Sequence, residues 1–180
     1  MKHSKTKNKQ VVAITSGQKL SEVKSVIIDY DNGNFMGLAL KNKTVIFTED
    51  ISEFGQDAVM IRDEKELMPL KDNEKLAELI KSKIRIIGNT AVTKSGEDLG
   101  EVKDFEVDEV EKKLAKIFVS TGFIKDLFKG ELIITADKII SIGEDAIVVK
   151  DSAVPVEEKE KIKKEMKNLT EAGVLNKEAE

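Results

Sequence analysis

Gly17-Gln18-Lys19-Leu20-Ser21-Glu22-Val23-Lys24 returns further along the chain as Gly96-Glu97-Asp98-Leu99-Gly100-Glu101-Val102-Lys103. In the same order, Gly55-Gln56-Asp57-Ala58-Val59-Met60-Ile61 returns as Gly143-Glu144-Asp145-Ala146-Ile147-Val148-Val149. Two ordered blocks found twice mean that each copy is one folding unit. The displacement is 79 positions from Gly17 to Gly96 and 88 from Gly55 to Gly143, so the second copy carries nine more residues between its blocks. The glycine-bounded stretch from Ser120 to Gly130 is where that extra loop is expected.

Outward from these blocks the chain reads as short strands. Val23 to Asp29, Phe35 to Leu40 and Val45 to Thr48 are β-rich runs separated by Gly, Asn and Asp. Asn32-Gly33 stands between two of them, a hairpin signal of the type I′ kind, which needs positive φ at both central residues. Asp104-Phe105-Glu106-Val107-Asp108 alternates apolar and acidic side chains as a half-buried strand does, with Leu114 to Val119 as its hairpin partner. Leu132 to Thr135 and Ala146 to Val149 supply more strands. The turns Gly55-Gln56-Asp57 and Gly143-Glu144-Asp145 read as structural, with Gly supplying positive φ and Asp capping. The fold class is therefore mainly β: two tandem small antiparallel β-barrels of the kind built from closely spaced short strands.

Two helices complete the pattern. Asn73 to Ser82, with Leu76, Leu79 and Ile80 on one face, predicts a short linker helix after Pro69. Glu157 to Leu169 carries a thin stripe of Ile162, Met166 and Leu169, with Glu–Lys pairs four apart that support a charged C-terminal helix. The expected organisation is a basic disordered arm over 1–10, repeat one over 11–70, the linker helix over 71–83, repeat two over 84–153, and the charged helix and tail over 154–180.

Composition bounds the chemistry. Thirty basic against thirty-four acidic residues leave a net charge of −4, so no overall basic field gathers nucleic acid. The absence of cysteine removes disulfides and thiolate catalysis, and suits a cytoplasmic protein. No apolar run approaches the roughly 20 residues that span a bilayer, and the basic start has no apolar segment after it to make a signal peptide. The one histidine, His3, lies in the expected arm, which puts Ser–His and His-ligated metal sites out of reach. Asp29 to Asn34 does not complete a calcium loop: the positions that need a ligand, a glycine and a glutamate are Gly33, Asn34 and Leu40. No phosphate-binding glycine loop is present. The expectation is no catalytic, cofactor or metal site.

The ordered motifs resemble the PRC-barrel superfamily, in particular two-copy PRC-barrel proteins of bacteria. The residues that carry the resemblance are Gly96, Leu99-Gly100, Val102, Asp104-Phe105, Val107-Asp108 and the closing Ile142 to Val149, over roughly 11–63 and 84–151. Copy one departs where Ser21 replaces Gly100 and Ser25 replaces Asp104. The resemblance implies PRC-barrel-like repeats used for docking; relatives include a photosynthetic reaction-centre subunit and a ribosome maturation factor. It therefore implies a non-enzymatic scaffold that holds a protein partner. An RNA-processing or ribosome-assembly factor and a peripheral membrane adaptor are the alternatives, and a homodimer is a further possible partner. Phe123, Ile124, Lys125, Leu127 and Phe128, apolar and basic residues on the extra loop, are the expected partner-binding residues.

Overall fold

The computed structural model describes residues 1–120 and 131–153. A short helix α1 (His3–Thr6) precedes β1 (Gln10–Ala13), β2 (Lys19–Ile28), β3 (Phe35–Leu40), β4 (Thr44–Phe47), β5 (Ile51–Phe54), β6 (Ala58–Ile61) and β7 (Met68–Pro69). After helix α2 (Glu74–Lys81) come β8 (Thr90–Thr93), β9 (Asp98–Asp108), β10 (Lys113–Ser120), β11 (Glu131–Thr135), β12 (Ile139–Ile142) and β13 (Ala146–Val149). The strands form two sheets, ordered β5-β6-β1-β2-β3-β4-β7 and β12-β13-β8-β9-β10-β11.

Apart from β7, these two orders are the same order. Register agrees residue by residue: Val23, Ser25, Val26, Ile27 and Ile28 of β2 face Leu40, Ala39, Leu38, Gly37 and Phe35. Their counterparts Val102, Asp104, Phe105, Glu106 and Val107 face Val119, Phe118, Ile117, Lys116 and Leu114. Even the bulges coincide, in β1–β2 between Val11 and Val12 and in β8–β9 between Ala91 and Val92. The length difference falls between β10 and β11, which are separated by residues 121–130 where β3 and β4 are separated by 41–43.

Neither sheet is wholly antiparallel, contrary to the sequence expectation. The first strand of each repeat pairs in parallel with the last, β1 with β6 and β8 with β13. The sheet curls because its inner side chains meet: Phe35 on β3 and Phe54 on β5, with β6, β1 and β2 between them in the sheet, bring their ring centroids to 6.1 Å. No ladder joins β4 to β5 or β11 to β12 among the described residues, so each repeat is a partly open barrel.

Inner residues of both repeats merge into one apolar cluster that runs from Val11, Leu38 and Ile46 to Val102, Ile117 and Ile147. Each such side chain taken fully out of water contributes about 1.5–3 kcal/mol. The junction itself is a clasp of two hairpin tips. Phe35 N–H donates to Lys112 O at 2.9 Å, and Leu114 N–H donates to Gly33 O at 2.8 Å. Displaced by 79 positions, each bond becomes the other, so equivalent positions face each other across the junction, with Asn34 bridging Lys113.

The tips also correct the turn chemistry. Gly33 alone has positive φ (+73°) in its tip, closed by Gly33 N–H to Asp29 O at 2.8 Å, so Asn32-Gly33 is not a two-residue type I′ turn. Lys112 takes the equivalent left-handed position in the second tip (+51°). Gly55 and Gly143 have ordinary φ, and close approach accounts for them instead: a Cβ would lie 2.9 Å from Ala58 O at Gly55 and 3.2 Å from Ala146 O at Gly143.

Residues 1–10 are a second correction. They are folded against both repeats rather than disordered. Val107 N–H donates to Met1 O at 2.8 Å, the Thr6 side chain is buried, and Asn8 N–H donates to Val23 O at 2.9 Å. The Lys2 ammonium lies 3.6 Å from the centre of the Phe118 ring. Charge does not prevent this docking, since a lysine can pack its stem and set its ammonium on an aromatic face. The C-terminal charged helix expected over 154–180 lies outside the described residues.

Candidate docking surface

Folding residues 1–9 back onto β9 creates a cleft at the junction. Lys24 to Ile28 of β2 form one wall, Leu79 and Ile80 of α2 with Arg85 to Ile87 a second, and His3 with Phe105 a third; the cavity holds about 310 Å³. Asp104 fixes the third wall. Its Oδ1 accepts Ser4 N–H at 3.1 Å, its Oδ2 accepts the Ser4 hydroxyl, and its Oδ1 also accepts Phe105 N–H at 2.9 Å. The His3 ring meets Phe105 edge-on at 4.9 Å, and its buried Nδ1 has no hydrogen-bond partner. Burial pulls the imidazole below its ordinary value of 6.5, against the opposing charge of Asp104 and with a smaller push from Lys7. Tyr30, beside the same cleft, is raised by burial, with the Arg85 charge opposing. The Arg85 guanidinium is already committed to the carbonyls of Ser82 and Ile84.

Asp29 ties the first hairpin to α2. Its carboxylate is nearly inaccessible, 2.8 Å from the Lys75 ammonium, and accepts Asp31 N–H at 3.2 Å. The Lys75 hydrogen bond holds this carboxyl below the usual range despite the opposing cost of burial.

The second repeat presents a different kind of surface. β12 is a sheet edge with the sequence Ile-Ile-Ser-Ile, and Ile140 on it is 49% exposed. The register of the repeats sets Ile140 against Ser52 of β5, so an apolar side chain stands here where the first copy is polar. Beside it runs a groove of about 230 Å³ between β12 and the clasped tips, lined by Tyr30, Asn32, Gly33, Leu114 and Ile142. An edge strand offers unpaired backbone N–H and C=O groups, and a flanking groove offers a seat for a side chain; together they suit an added extended peptide.

Residues 84–154 match the PRC-barrel domain family. The match covers β8 to β13, the whole second repeat, and the first repeat has the same strand order and register as the second. No curated protein matches the chain.

The residues singled out in the sequence separate into three groups. Asn32 and Gly33 form the first hairpin tip and line the groove beside β12. Gly55, Asp57, Gly143 and Asp145 sit in the β5–β6 and β12–β13 turns. The Gly143 carbonyl accepts from the Asn89 amide at 2.8 Å. Phe123, Ile124, Lys125, Leu127 and Phe128 lie outside the described residues. His3 and Ile140 were missed. Aligning Ser52 with Ile140 would have found the second, whereas nothing local to residues 1–9 announces a partner as distant as Asp104. No helix among the described residues is long and apolar enough to cross a membrane.

Proposed function

We propose that this protein is a cytoplasmic, non-enzymatic docking module that binds a protein partner along the β12 edge of its second repeat. The observation that carries the reading is the exposed, apolar β12 edge beside a groove, in the repeat that matches the PRC-barrel domain, where the first repeat has Ser52. PRC-barrels act generally as interaction modules, which adds weight by analogy of fold. An extended segment of the partner would pair with β12 and set an apolar side chain against Ile140.

The test is recovery of bound protein from the native cell by the tagged full chain. Ile140→Lys is expected to lose the bound protein, while Ser52→Lys at the equivalent position of the first repeat retains it. Equal recovery by both variants would refute the reading, and recovery that nuclease treatment abolishes would shift it to the RNA-binding alternative.

A further inference from the structure

The cleft beside His3 lies where the duplication brings two straps together. β1 begins at Gln10 and β8 at Thr90, 80 positions on, and the residues leading into them are held alike. Asn8 N–H donates to Val23 O and Val23 N–H to Lys9 O, both at 2.9 Å; Gly88 N–H donates to Val102 O at 2.8 Å and Val102 N–H to Asn89 O at 2.9 Å. Asn8 and Gly88 are both left-handed, at φ +69° and +86°. Thr6 and Ile86, again 80 apart, are both buried. The first strap sets His3 on Phe105 and the second supplies Arg85 to Ile87, so the two straps wall one cavity.

At about 310 Å³ this cavity stands at the small end of the roughly 300–1,000 Å³ of small-molecule sites. Its body is apolar, lined by Val26, Leu79, Ile80, Ile86, Ile87 and Phe105. Helix α2 is held beside it by Leu76, which packs with Ile27, Ala39 and Val45 on the outer face of the first sheet.

The charge of the cavity is one-sided. Among the described residues Lys24 and Arg85 line it and no Asp or Glu does, in a chain whose net charge is −4. The two copies show why Lys24 is left over. Lys103, its counterpart 79 positions on, is 2.6 Å from Glu101, whereas Glu22, the counterpart of Glu101, is held by Lys19 at 2.8 Å and Lys41 at 2.6 Å. Arg85 gives Nη1 to the carbonyls of Ser82 and Ile84, which hold the guanidinium in place without neutralising it. Neither cation has a carboxylate partner among the described residues. Tyr30 lines the same cavity near enough to Arg85 to feel its charge, and its hydroxyl has no hydrogen-bond partner among the described residues. Unneutralised cations beside apolar walls attract an anion more strongly than they would in open water.

We propose that this cleft binds a small organic anion with an apolar body, its acid group held by Arg85 and Tyr30 and its body laid against Phe105, Ile86 and Ile87. The inference is independent of docking at β12, whose Ile140 does not line the cavity.

The probe is 8-anilinonaphthalene-1-sulfonate, a flat apolar anion that fluoresces out of water, set against N-phenyl-1-naphthylamine, the same body without the charge. The folded full chain is expected to bind the sulfonate saturably at one equivalent and the neutral probe about tenfold more weakly. Arg85→Glu is expected to weaken the sulfonate about tenfold or more, and Arg62→Glu, the same exchange at the chain's other arginine and outside the cavity, less than about twofold. Ile87→Glu, at a wall position 38% exposed, puts a carboxylate in the cleft with Arg85 in place and is expected to act as Arg85→Glu does. Ile140→Lys is expected to leave binding unchanged. Circular dichroism of each variant separates lost binding from lost fold, since a loosened core also lights the dye. No saturable binding, equal affinity for the two probes, equal effects of the two arginine exchanges, or loss through Ile140→Lys would each overturn the proposal.

Discussion

His3 shows how one side chain changes meaning once its surroundings are known. In the sequence it is a lone histidine among lysines; in the fold it is the aromatic wall of a cleft, set edge-on against Phe105 and lowered in pKa by burial. Its pH consequence has a definite sign. An imidazole with a folded-state value below 6.5 binds fewer protons than in the unfolded chain, so its contribution to stability is complete above pH 6.5 and is lost as pH falls through the folded value. Asp104 and Lys7 are the charged groups that act on it. The lowered carboxylates titrate in a separate, more acid window; Glu22 is pushed down to about 2 by hydrogen bonds from Lys19 and Lys41. The melting temperature is therefore expected to fall between pH 7 and pH 5.5, and His3→Phe, which keeps the ring contact and removes the proton site, should flatten that fall. An unchanged slope in the variant would show that His3 is not responsible. The difference between Ser25 and Asp104 was legible in the sequence as a departure between copies, and the structure gives its cause: only Asp104 has an N-terminal helix to hold.

Hairpins were the elements read best, because alternation and Gly–Asn–Asp punctuation are local signals. β2, β3, β9 and β10 fall close to the runs marked by their sequence. Turn geometry was read less well, since it depends on what the turn touches: the Gly33 tip is shaped by its clasp on the second hairpin, and Gly55 by its approach to Ala58. Gly37 is the sharpest instance. It lies within β3, where propensity alone disfavours glycine, yet its φ is +148° and a Cβ would sit 2.0 Å from Ile46 O on β4. Gly37→Ala is expected to cost roughly 2–5 kcal/mol, since it adds backbone strain to a clash that no side-chain rotation relieves. Urea denaturation monitored by circular dichroism measures it directly, and a loss below about 1 kcal/mol would mean that β3 and β4 can separate at little cost.

At the scale of the molecule, the repeat was visible from the first motif, whereas the union of its copies was not. Register, bulges and strand order recur because each copy solves the same packing problem with the same apolar positions. The joining surface depends on contacts between residues about 80 positions apart, such as Leu114 with Gly33, which no local window contains. One apolar cluster spans the junction, so the two repeats are expected to unfold together. Tyr30, the single tyrosine in a chain without tryptophan, lies at that junction and reports on it by fluorescence. Its transition in urea should coincide with the loss of sheet signal. Leu114→Ala, at a position 5% exposed, should shift both by about 2–4 kcal/mol without separating them. Two resolved transitions would show instead that each barrel stands alone.

The clasp of equivalent tips also sets how the two halves can diverge. In a dimer of identical subunits a substitution at the twofold contact is made twice, and both sides must accept it. Here the two sides are spelled out separately in one chain, so each position is altered singly. Gly33 and Lys112 already show the result: one left-handed position, filled by the residue that enters it freely on one side and by a bulky cation on the other. Covalent union thus keeps the geometry of a symmetric pair while releasing its two halves to specialise, one closed on its outer face by β7 and α2 and the other carrying an apolar edge.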